Sequence, residues 1–221
     1  MFQLLVWVLT IQILGLAAFP LVSQIVPNLR DKGFTISKLV ALSSLGLTSW
    51  LISMLGISGP SGRVLLAITL IFICISTYIG LKHISQILYF FKREWKLICA
   101  AELIYLVILG IFALFKFNDP SINHTEQPMD LAFLNAAMGA GNGGPLDPWM
   151  RGEQISYYYF GYWIFGNIGS LTFTRPEITY NLSLIFIPAL MGTAVFGLAS
   201  SLLPHSTKIR SLIGVGVISS V

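Results

Sequence analysis

The chain has 221 residues, of which 55% are hydrophobic and only 10% charged, and its formal net charge is +4. Soluble domains carry about 25% charged residues, so this chain lacks the polar surface to cover a globule of its size, which excludes a soluble enzyme and a disordered protein. Its basic residues are scattered between apolar runs, which excludes a nucleic-acid binder and makes them reporters of membrane orientation.

With a mean hydropathy of +0.80, the unit of organisation is the transmembrane span of about 20 apolar residues. A first span is expected over residues 2–26, with Pro20 as a kink. No basic stretch precedes it, so it reads as a retained span rather than a cleavable signal. A polar turn, Asn28 to Gly33, leads to a second span over 34–57. The turn Ser58-Gly59-Pro60-Ser61-Gly62-Arg63 leads to a third over 64–81. Residues 82–96 carry Lys82, Lys92, Arg93 and Lys96 against Glu94, with Ile84, Ile87, Leu88, Phe90 and Phe91 between them. This is the pattern of an amphipathic interfacial helix.

A fourth span is expected over 97–115, followed by a long non-spanning segment, 116–156. A short aromatic fifth span covers 157–173 and a sixth covers 180–203. Residues 204–210 are polar, and 211–221 are apolar but too few to cross a bilayer, so the chain reads as a fragment of a longer protein. The expected fold is all-α: a polytopic transmembrane helical protein with about six complete spans and the start of a seventh.

Lys and Arg set the orientation. The basic segment 82–96 is expected in the cytoplasm, and counting outward puts Arg30 and Lys32 there too. The N-terminus and 116–156 then fall outside, where Asp119, Glu126, Asp130, Asp147 and Glu153 outnumber Lys116 and Arg151. Lys208 and Arg210 fall outside on the same count, against the rule. Cys74 and Cys99 lie in apolar runs and read as inert packing residues rather than a disulfide.

Lys38 and Glu102 lie within the second and fourth spans. They read as facing protein or pairing near the cytoplasmic interface, with a proton relay at Glu102 as the functional alternative. The informative region is the outer loop. Pro128 suits the first position of a helix, which puts Asp130 in its first turn, where the helix dipole favours an anion. Glu126 lies four residues earlier. Two carboxylates brought together there can activate an acceptor hydroxyl as general base. They can also hold a divalent cation, Mg or Mn, that neutralises a phosphate.

The string Gly139 to Gly144 satisfies G-x-G-x-x-G, but no strand precedes it, so it reads as a turn and not a dinucleotide site. Pro145 to Trp149 continues the turn. Arg151 can pair bidentately with a phosphate. Tyr157, Tyr158 and Tyr159 can stack on sugars and donate to phosphate oxygens, or form an aromatic belt at the membrane interface. His124 with Glu126 is too sparse for zinc. Asn123-His124-Thr125 and Asn181-Leu182-Ser183 match the glycosylation sequon, which reads as coincidence.

The chain resembles the N-terminal part of the archaeal and Chloroflexi YYY membrane-protein family. The resemblance rests on Glu126-Gln127-Pro128-Met129-Asp130 followed by Leu131 to Ala136. It continues through Asp147-Pro148-Trp149, Gly152 to Gly161 with its triple tyrosine, and Tyr180-Asn181-Leu182. Upstream, Leu29 to Gly33, Lys38, Trp50 and Ala101-Glu102-Leu103 also fit, and Gln127 stands where the family often has Lys.

That family is grouped by similarity with the GT-C membrane glycosyltransferases, which take sugars from polyprenyl-phosphate carriers. The resemblance implies a glycosyltransferase of the cell membrane, using a polyprenyl-phosphate-linked sugar donor and an unknown acceptor at the extracytoplasmic face. Glu126 and Asp130 would be catalytic. Asp147, Arg151, Glu153 and Tyr157 to Tyr159 would line the substrate side. Residues 1–96 would be N-terminal helices, and 97–221 the start of a GT-C-like core. The rival reading is a non-enzymatic transporter or a scaffold for surface-glycan assembly. A transporter would concentrate polar residues at mid-bilayer depth, whereas here they gather in one outer loop.

Overall fold

The structure is a computed structural model and describes residues 1–203. The polar segment 204–210 and the apolar residues 211–221 lie outside the described residues. Among the described residues eight helices follow one another: α1 (Phe2–Ile25), α2 (Ser37–Met54), α3 (Gly62–Lys82), α4 (Ile84–Arg93), α5 (Trp95–Asn118), α6 (Gln127–Met138), α7 (Phe160–Leu171) and α8 (Pro176–Leu202). The only β pairing among the described residues is two isolated bridges, Gly141 with Gly144 and Leu146 with Gln154. The all-α expectation holds.

Four helices, α1, α3, α5 and α8, are long and apolar enough to cross a membrane. α2 has 18 residues, but Ser43, Ser44, Thr48, Ser49 and Ser53 lower its hydropathy. α7 has 12 residues, which at 1.5 Å per residue gives about 18 Å against a hydrocarbon core of about 30 Å. The fifth expected span therefore contracts, because Tyr157 to Tyr159 precede α7 instead of opening it. Pro20 sits inside α1 without ending it. α4 answers the amphipathic expectation: Phe90 is buried in an aromatic cluster, 5.3 Å between ring centroids from Phe19, and Phe91 meets Phe19 and Phe34 edge-on.

The chain forms two compact units. The first comprises Met1–Ile11, Leu42–Phe72 and Asp119–Ser183. Its centre is the buried Trp163, whose indole N–H donates to Gly46 O at 3.1 Å and Ser49 Oγ at 2.9 Å. Asn167 donates to the same hydroxyl at 2.6 Å. Buried polar groups are stable only when paired in this way. α6 packs on α7 through Phe133, Leu134 and Ala137. Two glycines of α7 permit close approach. A Cβ at Gly166 would stand 3.0 Å from Met138 Cγ, and one at Gly169 would run into Thr179 Oγ1.

The second unit comprises Gln12–Ala41, Ile73–Asn118 and the described part of Leu184–Val221. Here Lys38 Nζ donates to Glu102 Oε1 at 2.7 Å, and Gln12 Nε2 donates to the same oxygen at 3.2 Å. The ammonium lies 4.5 Å from the Tyr105 ring centre. Lys38 and Glu102 thus face protein and pair. Cys74 and Cys99 are free thiols on exposed helix faces.

Candidate functional site

The site grows from the first turn of α6. The helix begins at Gln127, one residue before the position read from Pro128, which occupies the second place in the turn. Proline is tolerated there because the first N–H groups of a helix have no intrahelical partner. Glu126 is the N-cap, and its carbonyl accepts the Asp130 N–H at 3.0 Å. Its exposed carboxylate makes no cap bond, so it remains available.

Asp130 is half-buried, and each of its carboxylate oxygens accepts one tyrosine hydroxyl. Tyr162 of α7 donates to Oδ1 at 2.5 Å, and Tyr180 of α8 donates to Oδ2 at 3.1 Å. Charge-assisted bonds of this kind fix a carboxylate firmly. Each oxygen keeps a second lone pair, so the group is oriented but not used up.

An aromatic platform adjoins it. Phe133, one turn along α6, stacks on Tyr157 at 5.4 Å and meets Trp149 edge-on at 5.4 Å. Tyr157 and Tyr158 stack at 3.9 Å, and their hydroxyls are 2.5 Å apart. The Tyr157 hydroxyl is pushed up to about 12, first by that hydrogen bond and also by the negative charges of Glu126 and Asp130. It therefore stays protonated at neutral pH, and both carboxylates act on one hydroxyl.

The triple tyrosine divides its tasks. Tyr159 turns away to accept the Trp50 indole N–H at 2.8 Å, while Tyr158 is largely exposed. Tyr159 and Trp50, with Leu47 and Phe160, also line an apolar cavity of about 370 Å³.

The other expected residues lie on the loop that follows. Asp147 Oδ1 accepts the N–H groups of Trp149 and Met150 at 2.8 and 3.0 Å. This side-chain turn sets Trp149 against Phe133. Glu153 enters through its backbone, accepting the Asp147 N–H at 2.9 Å, and its side chain is exposed, as is that of Arg151. Among the described residues Arg151 has no ion pair. The glycine turn is pinned rather than loose: Gly143 N donates to Ser53 O at 2.7 Å and Ser53 Oγ donates to Gly141 O at 2.9 Å. Gly143 and Gly144 both have φ of +97°, a conformation that glycine adopts without steric cost.

Asp119, Ser121 and His124 cluster upstream. Ser121 donates to Asp119, whose carboxyl is held down to about 2 by that bond and by His124. The group is not a hydrolase triad, because His124 Nε2 faces both partners and a triad needs opposite ring nitrogens. No group of three or more His, Cys, Asp or Glu gathers at a metal-binding distance among the described residues. Asn181 is helical and donates to Pro120 O at 2.9 Å, which removes its side-chain amide from modification.

Residues 44–221 match the model of a family described as uncharacterized membrane protein (DUF2298). The chain belongs to this family. The match takes in every residue of the Asp130 site. No curated protein and no solved structure matches the chain. Membership establishes a membrane protein, and the chemistry must be argued from the geometry. Tyr162 and Tyr180 are the site residues that sequence reasoning passed over. Tyr162 lies in the aromatic run and Tyr180 before Asn181-Leu182, but nothing in their local pattern links either to a carboxylate 32 or 50 positions away.

Proposed function

We propose that this DUF2298 chain is part of a membrane glycosyltransferase that moves a sugar from a polyprenyl-phosphate carrier to an acceptor hydroxyl, with Asp130 as general base. The observation that carries this reading is the Asp130 carboxylate, held by one tyrosine hydroxyl on each oxygen beside the exposed rings of Trp149, Tyr157 and Tyr158, which rest on the buried Phe133. Stacked aromatic faces suit the apolar faces of a sugar ring, and a fixed carboxylate suits an acceptor proton. The YYY resemblance and its GT-C grouping support the same reading.

In the reaction, the acceptor oxygen forms a bond to the anomeric carbon and its proton passes to Asp130. The bond from that carbon to the carrier phosphate breaks, and the polyprenyl phosphate leaves with the electron pair. The proton then returns to solvent or the departing phosphate. Glu126 assists by orienting the acceptor or, through a divalent cation, the phosphate. Glu126 and Asp130 are the residues that would hold such an ion, which would supply charge neutralisation at the phosphate. Arg151 meets the phosphate, and Asp147, Glu153 and the tyrosines shape the sugar side. Residues 97–221 begin the catalytic core, and the 116–156 segment faces outward from the cell membrane.

The test supplies labelled polyprenyl-phosphate sugars to membranes holding the protein. Asp130→Asn should lower transfer by about 10²–10⁴-fold, the usual contribution of general acid–base catalysis. Glu126→Gln should lower it less and alter its response to added Mg2+ or Mn2+. Normal transfer by Asp130→Asn would end the assignment. Absence of transfer across a broad donor panel, with the protein intact, would favour the transport or assembly role.

A further inference from the structure

The second unit holds a cavity that the transfer chemistry does not use. It has a volume of about 270 Å³ and is lined by Arg30, Lys32, Arg93, Tyr89, Asn28 and Glu94 among others. Three cations face one carboxylate. That carboxylate is already engaged, since Glu94 Oε1 lies 3.3 Å from Arg93 Nε.

The turn between α1 and α2 explains why the cations remain uncompensated. Asp31 sits between Arg30 and Lys32 in sequence, but its side chain is buried within the turn. It accepts the Gly33 N–H at 3.0 Å, the Thr35 N–H at 2.9 Å and the Thr35 hydroxyl at 2.6 Å. Three of its four acceptor sites are taken up in building the turn, and Asp31 does not line the cavity. Lys32 and Gly33 have positive φ, +49° and +77°, and a Cβ at Gly33 would meet Val22 and Val26. The backbone is therefore fixed with both cations at the cavity.

Arg30 Nη1 is buried with no hydrogen-bond partner among the described residues. A buried donor left unpaired is costly, and more so on a charged group. The Arg30 backbone N–H donates to Ser201 Oγ at 3.3 Å. Ser201 also lines the cavity. Phe90 anchors α4 in its aromatic cluster, and Arg93, three residues on at the helix end, also lines the cavity.

We propose that this cavity is a binding site for a phosphate monoester. The Arg30 guanidinium, with its unpartnered Nη1, takes two phosphate oxygens as a fork, with Lys32 and Arg93 completing the charge. The amphipathic α4, with exposed Ile84, Leu88 and Tyr89 beside its basic end, is the kind of helix that lies in a membrane interface. On the positive-inside reading this face meets the cytoplasmic leaflet, where basic pockets between helices take lipid head groups. A lipid head group and a small soluble phosphate share the chemistry, and the experiment separates them. The proposal does not rest on the glycosyltransferase reading.

The purified protein is exchanged into nanodiscs of phosphatidylcholine containing a minor share of phosphatidate, and retained lipid is counted by native mass spectrometry after detergent release. The expected result is selective retention of phosphatidate. Arg30→Gln and Arg93→Gln should each weaken it about tenfold or more, the scale of a lost hydrogen bond to a charged group. Lys116→Gln, at the opposite end of α5, should leave it unchanged.

Inorganic phosphate is then added in excess. Displacement of phosphatidate, or a raised thermal midpoint without lipid, identifies a site that also takes free phosphate. Retention unaffected by phosphate identifies the lipid. The proposal fails if phosphatidate is held no better than phosphatidylcholine and phosphate leaves the thermal midpoint unmoved. It fails equally if both arginine variants, folded by their melting curves, bind as wild type does. Arg93 is exposed, so its variant keeps the test open if Arg30→Gln does not fold.

Discussion

Asp130 is fixed by two neutral side chains, Tyr162 and Tyr180, one on each carboxylate oxygen. Removing one hydroxyl while keeping the ring isolates that effect. Tyr162→Phe and Tyr180→Phe should each lower sugar transfer by about tenfold, since a hydrogen bond to a charged group is worth about 1.5–3 kcal/mol. The double variant should fall short of the product of the two effects, because both act through one carboxylate and neighbours do not add. Transfer assays on the three variants check this, with the melting curve of each confirming that the fold persists. Equal activity in all of them would show that Asp130 needs no fixed orientation. Asp130 in a first turn was legible from Pro128, but its two tyrosine partners were not. Hydrogen bonds across 32 and 50 residues leave no periodic mark.

At the scale of elements, the site depends on three helices meeting closely. α6 carries Asp130, α7 carries Tyr162 and α8 carries Tyr180. Gly169 faces Thr179 and Met138 with no room for a side chain. Gly169→Val should push these elements apart and lower transfer by about tenfold or more through lost geometry, since small misplacements at a site are costly. It should also lower the thermal midpoint, because overpacking typically costs about 1–3 kcal/mol. Unchanged activity with a lowered midpoint would separate packing from catalysis. The helices themselves were largely legible. α1, α3, α5 and α8 follow from continuous apolar runs, and α4 from the mixture of basic and apolar residues over 82–96. The helix in the fifth expected span is shorter than expected, Phe160–Leu171, because an aromatic run marks an interface or a loop as readily as a helix. Tyr157 to Tyr159 lie outside α7, where Tyr157 and Tyr158 stack on each other and Tyr159 accepts from Trp50.

For the whole molecule, the decisive property is how little charge it hides and how it compensates what it does. Lys38 is buried and its partner Glu102 is about a quarter exposed, with side-chain accessibilities of 4% and 24%. Removing one partner of such a pair leaves a charge without compensation, a loss of about 3–5 kcal/mol when both are fully buried. Lys38→Met should therefore lower the thermal midpoint in detergent by roughly 5–10 °C. The double variant Lys38→Met with Glu102→Gln should recover part of it. If Lys38→Met melts as wild type does, the pair contributes nothing to stability and a proton-handling role for Glu102 gains weight.

The sequence by itself determined that this is a helical membrane protein, because 10% charge at 221 residues leaves water no surface to wet. It also determined where the basic segments and the polar loop fall, since hydropathy is a local property of the chain. Tertiary structure decided what those segments do. It drew Asp147 into a turn, spent Asp31 on its own backbone, left Arg30 facing a cavity and gave Asp130 its tyrosines. Each of these depends on which distant side chain arrives at hydrogen-bond distance, and that is set by packing, which no window of sequence contains.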